Sequence, residues 1–212
     1  ENDSYISELI LNDSICEFIK YVNSKSLNLS NAKIRPSIYE MNPLLNEREA
    51  SLIEYSAFYG SIQIFKYLQK NLVDLNSSLW IYAIHSNNPE LFNILENEKI
   101  EPPNNKFEIC LAEAIKCHHN NMARYVIDSL LTNEDYLSND DVLESIFRYY
   151  NYSFFPENLI QDSVFFYLCQ FNYSKIVDFI IEMKNDEFTD KMIKLKSIQN
   201  FVFNQINIFF IL

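Results

Sequence analysis

Small, apolar and turn-forming residues recur in a fixed order along this chain. Two small or apolar residues are followed by two variable residues, a turn-forming residue and an apolar stripe, and this order occurs at 56–68, 83–95, 114–126 and 168–180. Apolar positions three and four apart are typical of a helix that buries one face, so each copy predicts two helices joined by a turn. The recurrence predicts an all-α fold in which helix pairs stack as a solenoid.

The turn position in each copy is held by a residue suited to an unusual backbone conformation. Gly60 occupies it in the first copy, and Asn87, His118 and Asn172 occupy it in the others. Glycine adopts the left-handed region at little steric cost, and Asn and His are among the other residues that tolerate it best. We therefore predict left-handed backbone at all four positions.

The spacing between equivalent residues indicates how many units the chain contains. Phe65 and Phe92 are 27 residues apart, whereas Met122 and Ile176 are 54 apart, which is twice that spacing. The longer gap predicts a degenerate unit, whose helix can lie within 141–151. We expect about four or five units within residues 46–185. The residues expected to pack in their core are Ile64, Phe65, Trp80, Leu91, Phe92, Met122, Ile176 and Val177.

Both ends of the chain depart from the repeat. Residues 1–45 predict a helical N-terminal cap, in which Asp13 caps a helix whose apolar face includes Phe18 and Val22, and a polar stretch at 23–31 ends that helix. Residues 186–212 predict an apolar closing or docking segment. Because 201–212 contain no charged residue, we expect them to pack back on the preceding helices or to mediate self-association.

The charge of the chain narrows the classes of partner. The formal net charge is −12 among 212 residues, which disfavours nucleic acid and anionic membrane surfaces. It favours a basic or apolar protein partner, and the alternative is that the charge serves only solubility. No apolar run is long enough to cross a bilayer, so we expect no membrane span. The chain opens with Glu1 rather than Met, which suggests a processed product or a fragment.

The cysteines and histidines predict neither catalysis nor metal binding. Cys16, Cys110, Cys117 and Cys169 form no Cys-x-x-Cys pair and lie in apolar stretches, so we expect buried, reduced thiols and a cytoplasmic setting. Cys117 and His118 are adjacent in sequence, so their side chains should diverge, and together with Cys110 they lack a fourth metal ligand. The single glycine excludes a glycine-rich phosphate loop. We expect no enzyme, no cofactor and no metal.

Several segments resemble a divergent ankyrin-repeat family that is expanded in flagellated protists and carries an associated domain of unknown function. The resemblance lies in 34–43, 52–63, 78–85 and 113–120, and it covers roughly 34–130. The usual Thr-Pro-Leu-His opening is replaced in the second copy by Ser78-Leu79-Trp80-Ile81. The resemblance implies an ankyrin-like solenoid that binds proteins, and it implies no catalytic residues.

The function expected is therefore protein–protein interaction, as an adaptor or scaffold. In an ankyrin-like stack the variable pair before each turn lies at the concave face and its adjoining loops. The contact residues predicted on this basis are Phe58, Tyr59, His85, Lys116, Gln170 and Phe171. The alternative is a structural subunit of a larger assembly, for example a cytoskeletal one, held through the apolar C-terminus.

Overall fold

The computed structural model describes residues 2–37, 40–131, 135–157 and 161–182. Within these ranges the chain is mostly helical, so the all-α prediction is confirmed at the level of fold class. The helices are α1 (Asn2–Leu11), α2 (Ile15–Lys25), α3 (Pro43–Asn46), α4 (Leu52–Tyr59), α5 (Ile62–Lys70), α6 (Leu79–Ser86), α7 (Pro89–Asn97), α8 (Phe107–Lys116), α9 (Asn120–Tyr125), α10 (Asp140–Arg148), α11 (Asp162–Gln170) and α12 (Ser174–Glu182). Two short strands, β1 (Lys33–Ile34) and β2 (Ala50–Ser51), pair antiparallel, and Lys33 lies opposite Ser51.

The chain forms two compact units, Glu1–Glu134 and Asp135–Leu212. In the first unit α4 packs against α5 and α6, α6 packs against α7 and α8, and α8 packs against α9. A π-helical turn, Val126–Leu130, continues α9. In the second unit α11 packs against α10 and α12. The sequence boundaries expected at 45/46 and 185/186 stay predictions, and the segment at 186–212 lies outside the described residues.

The helix pair α4–α5 shows how the local sequence specifies each element. Ser51 begins α4 with a reciprocal capping box, in which its hydroxyl accepts from the Glu54 amide at 3.3 Å and the Glu54 carboxylate accepts from the Ser51 amide at 2.9 Å. On α5, Ile64, Phe65 and Leu68 are fully buried at the predicted three- and four-residue spacing.

The turn between paired helices is left-handed in all four copies, as predicted. The φ angles are +69° at Gly60, +51° at Asn87, +57° at His118 and +62° at Asn172. At Gly60 a Cβ would also come within 3.4 Å of the Ser86 Cβ on the next helix pair. A hydrogen-bond pattern accompanies the turn, because the amide of each turn residue donates to the carbonyl three residues earlier.

The first two helices are joined by a turn of the same kind, which we did not predict from the sequence. Asp13 joins α1 to α2 with a φ of +45°, and its amide donates to the Ile10 carbonyl at 2.9 Å. The prediction that Asp13 caps α2 is wrong. Its carboxylate instead accepts from the amides of Gln63 and Ile64, each at 3.0 Å, and so caps α5 of the following pair. The polar stretch at 23–31 does end α2, at Lys25.

The degenerate unit expected near 141–151 contains the predicted helix, α10. It is followed by a left-handed residue, Tyr150, with a φ of +56°. A single 3-10 turn, Tyr152–Phe154, stands where the other pairs have a second helix. Aromatic rings pack around this turn: those of Tyr152 and Phe155 have centroids 5.0 Å apart with planes inclined by 53°, and the Tyr152 ring lies edge-on to Tyr173.

Side chains that follow the turns bind the preceding helix pair at an equivalent point. The Ser61 hydroxyl donates to the Ile10 carbonyl, His119 Nδ1 donates to the Ile84 carbonyl at 2.7 Å, and the Tyr173 hydroxyl donates to the Phe147 carbonyl at 2.9 Å. Each carbonyl lies three residues before the left-handed residue of its own pair. In the remaining pair, Asn88 reaches the carbonyl of Gly60 itself at 3.5 Å. A repeated hydrogen bond therefore joins consecutive pairs within each unit.

The predicted core residues are almost all buried. Trp80 is 1% exposed, and its indole Nε1 donates to the Ile100 carbonyl at 2.8 Å, so its predicted role in the core is confirmed. Ile176 is the exception, since it is only half-buried beside the buried Val177. The other predicted residues that are buried are Ile64, Phe65, Leu91, Phe92 and Met122.

Replacing Phe92 with Ala should lower the free energy of unfolding by about 3–5 kcal/mol, because the ring is 1% exposed and packs edge-on against Trp80. Phe179→Ala is the matched control, since Phe179 is 58% exposed and its loss should change stability by less than about 0.5 kcal/mol. Chemical denaturation measures both. Equal effects of the two substitutions would contradict this packing.

Replacing Asp13 with Ala should cost about 1–2 kcal/mol, because two amides at the start of α5 lose their acceptor. Asp13→Asn distinguishes the contribution of the carboxylate from that of the left-handed turn. Asn tolerates the left-handed backbone and keeps one side-chain oxygen, but it loses the charge. Its cost should fall between that of the Ala variant and zero. If Asn is as harmful as Ala in urea denaturation, the negative charge carries the whole effect.

Candidate functional site

Side chains from three helix pairs converge around His85 in the first unit. We call this group the His85 cluster, and its members are Asn42, Phe58, His85, Glu113, Lys116 and Cys117. The positions of the turns determine which residues meet in this cluster. Phe58, His85 and Lys116 each lie two residues before the left-handed residue that ends the first helix of a pair. Because α4, α6 and α8 pack side by side, these equivalent positions lie in a row.

The His85 imidazole is held from three sides. Its ring stacks on Phe58, with centroids 5.1 Å apart and planes inclined by 20°. The Asn42 Oδ1 accepts from the Leu44 amide at 3.0 Å, so its amide nitrogen faces His85 Nδ1 at 3.4 Å. Nδ1 therefore accepts and Nε2 donates to Glu113 Oε1 at 2.7 Å, which is the neutral tautomer.

Glu113 carries the negative charge of the cluster. Burial alone would raise the pKa of its carboxyl, but the hydrogen bonds of His85 and Lys116 and the charge of Lys116 outweigh burial and hold that pKa below its usual range. Lys116 Nζ lies 3.0 Å from Oε1 and 3.3 Å from Oε2. The side chains of Glu113 and Lys116 are 17% and 38% exposed, so their ion pair is only partly shielded from solvent.

Cys117 lies against the same imidazole and completes a set of groups found in cysteine nucleophile sites. Its Sγ is 3.7 Å from His85 Nδ1 and 3.8 Å from Nε2. Because the sulfur is equally far from both ring nitrogens, it lies off the lone-pair axis of each. The thiol is therefore not aligned to transfer its proton to the imidazole. Burial, and then the charge of Glu113, raise the pKa of the Cys117 thiol to about 12. An activated nucleophile needs a lowered thiol pKa, so this arrangement favours no attack chemistry.

The structure brings four of the six predicted contact residues together. Phe58, His85 and Lys116 belong to the His85 cluster, and Tyr59 packs on Phe58 with ring centroids 5.0 Å apart. Tyr59 also donates its hydroxyl to Glu40 at 2.9 Å, and burial together with this bond raises its pKa. All four side chains are half-buried. Their role in binding a partner stays a prediction.

The other two predicted contact residues lie in the second unit. Gln170 is exposed at the end of α11, and Phe171 is half-buried. The Phe171 ring stacks on Tyr167, with centroids 6.2 Å apart. These two residues also stay predictions.

Sequence reasoning missed Asn42, Glu113 and the approach of Cys117 to His85. It compared Cys117 with its neighbour His118, which instead forms the exposed turn. The available signal was the repeat itself, since stacking the copies places the residues before one turn beside the residues before the next. Glu113 is four residues before Cys117, which caps the C-terminal end of α8, so the two side chains lie on the same side of that helix.

The prediction that all four cysteines are buried is wrong. Cys110 is buried, Cys117 and Cys169 are half-buried, and Cys16 is exposed. The helical period explains the exposed thiol, because Cys16 lies two positions, or about 200°, from the buried Phe18 on α2.

Comparison of the chain with protein-family models, with the curated proteins and with the solved structures finds no significant match in any of the three. The family resemblance therefore stays a proposal. In the part of the chain that the structure describes, no helix combines the length and the apolar character that crossing a bilayer requires.

The cysteines should react with iodoacetamide at very different rates. Cys16 is exposed and should be modified first, whereas burial raises the pKa of both Cys110 and Cys117 to about 12. At pH 8 about one part in ten thousand of each of these two thiols is ionised, and each unit of pH below the pKa lowers that fraction tenfold. Peptide mapping by mass spectrometry measures the order. Modification of Cys117 as fast as Cys16 would contradict the geometry.

Proposed function

We propose that the chain is a non-enzymatic protein-binding module built from divergent ankyrin-like helix pairs. The observation that carries the proposal is the row formed by Phe58, His85 and Lys116 at equivalent positions of three neighbouring pairs. A row presented by successive stacked units is the kind of surface with which repeat proteins bind partners. Such a surface is preformed, so a partner loses little affinity to ordering it.

The repeated turn and the bond between pairs support the ankyrin-like interpretation. In the described part of the chain, left-handed residues follow α1, α4, α6, α8, α10 and α11, at Asp13, Gly60, Asn87, His118, Tyr150 and Asn172. A short helix, a left-handed residue and a second helix are features of the ankyrin unit that the sequence resembles. The whole solenoid, including how the two units are arranged, belongs to the proposal.

A basic protein surface is the partner that we propose. The net charge of −12 attracts a positive partner over distances comparable to the Debye length. Aromatic side chains are enriched among residues that dominate binding energy, so Phe58 and Tyr59 should contribute most.

The proposal is tested by affinity capture from the native cell with the unaltered chain and with a Phe58→Ala/Tyr59→Ala variant. Captured partners should bind the double variant about tenfold or more weakly, and raising the salt concentration should slow association. Gln63→Ala/Lys70→Ala on α5 is the control, because both side chains are exposed on the second helix of the same pair. Denaturation curves establish that both variants are folded.

If the Phe58 variant binds every partner as tightly as the control does, binding through this row is refuted. The structural-subunit alternative rests on the uncharged sequence at 201–212, which lies outside the described residues. It predicts concentration-dependent assembly of the isolated chain, whereas an adaptor should scatter light as a single monomeric species.

A further inference from the structure

We propose that His85, Glu113 and Cys117 form a zinc-binding site that links α6 to α8. The potential ligand atoms are His85 Nε2, Glu113 Oε1 and Cys117 Sγ, and all lie within 4.8 Å of one another. The proposal does not depend on the protein-binding function. It departs from the sequence expectation of no metal, because that expectation considered Cys117 only with Cys110 and His118.

The distances fit a single small ion. Nε2 and Oε1 are 2.7 Å apart, Sγ is 3.8 Å from Nε2, and Sγ is 4.0 Å from Oε1. A point equidistant from the three atoms lies about 2.1 Å from each, close to the zinc–nitrogen and zinc–oxygen bond lengths and slightly below the zinc–sulfur length. Binding replaces the His85–Glu113 hydrogen bond, since tetrahedral coordination spreads those two atoms to about 3.3 Å.

The ligand types select zinc among common divalent ions. Thiolate and imidazole are the ligands that zinc prefers, whereas magnesium and calcium prefer an all-oxygen shell. Asn42 Oδ1 is occupied by the Leu44 amide, so water takes the fourth position. Zinc at Nε2 puts the imidazole proton on Nδ1, so the Asn42 amide nitrogen, now 3.4 Å from Nδ1, must turn away from it. The Phe58 ring on the imidazole face still fixes the orientation of His85, as supporting groups do around metal-bound histidines.

Lys116 is the group that opposes the ion. Its ammonium lies 3.0 Å from the Glu113 oxygen that would bind zinc, so it must leave when the metal arrives. The Lys116 side chain is 38% exposed, which lets it turn to solvent. Removing its charge should therefore strengthen zinc binding, an effect opposite to that of removing a ligand.

The test uses the full chain freed of metal by a chelator and titrated with zinc chloride by calorimetry. We expect one equivalent of zinc to bind saturably, and magnesium chloride to give no binding. At zinc about a hundredfold above Kd the melting temperature should rise by about 5 °C or more, because the metal binds the folded state. Cobalt chloride should produce a thiolate-to-cobalt charge-transfer band.

Matched variants assign the site. Cys117→Ser should weaken zinc binding at least about tenfold and abolish the charge-transfer band, whereas Cys16→Ser, which alters an exposed thiol on α2, should behave as the unaltered chain. Lys116→Gln should bind zinc more tightly. Circular dichroism of the metal-free variants verifies that each is folded. Absence of saturable binding, or equal binding by the Cys117 and Cys16 variants, would overturn the proposal.

Discussion

The left-handed residue between the two helices of a pair is the constraint on which the rest of the described structure depends. It ends the first helix, satisfies the last carbonyls and sends the chain back along the second helix. It also exposes a carbonyl three residues earlier to a side chain of the next pair, as Ile10 accepts from Ser61 and Phe147 accepts from Tyr173. One backbone conformation thus determines both the shape of a pair and its attachment to its neighbour.

The polar contacts between helix pairs in the first unit follow from the alignment of the turns. Since the turns align the first helices, residues that precede them meet across helix boundaries, and His85 contacts Phe58 on one side and Glu113 on the other. A second polar junction has the same origin. The buried Glu54 carboxylate caps its own helix and accepts from Ser78 at 2.7 Å on the following pair. Both carboxylates lie at a boundary between pairs, and each accepts hydrogen bonds from side chains on two neighbouring elements.

Features encoded within one copy could be predicted from the sequence, and features formed between copies could not. Apolar spacing on α5, the Ser51 cap and the left-handed turns depend on residues within a few positions of one another. Asp13 shows the limit, because its carboxylate is equally suited to cap the adjacent α2 or the remote α5, and only packing of the two pairs selects the latter. The environment of Cys117 was missed for the same reason, since His85 is 32 residues away in sequence.

The hydrogen bonds that side chains after the turns donate to the preceding pair have a common direction along the chain. Ser61, Asn88, His119 and Tyr173 each donate to a carbonyl in an earlier segment, and the carbonyl belongs to a turn that is already closed by local bonds. On the ribosome, where N-terminal segments emerge first, each of these four donors therefore meets an acceptor turn that is already formed. Because each acceptor carbonyl is synthesised before its donor, these hydrogen bonds can form in the order in which the ribosome produces the chain.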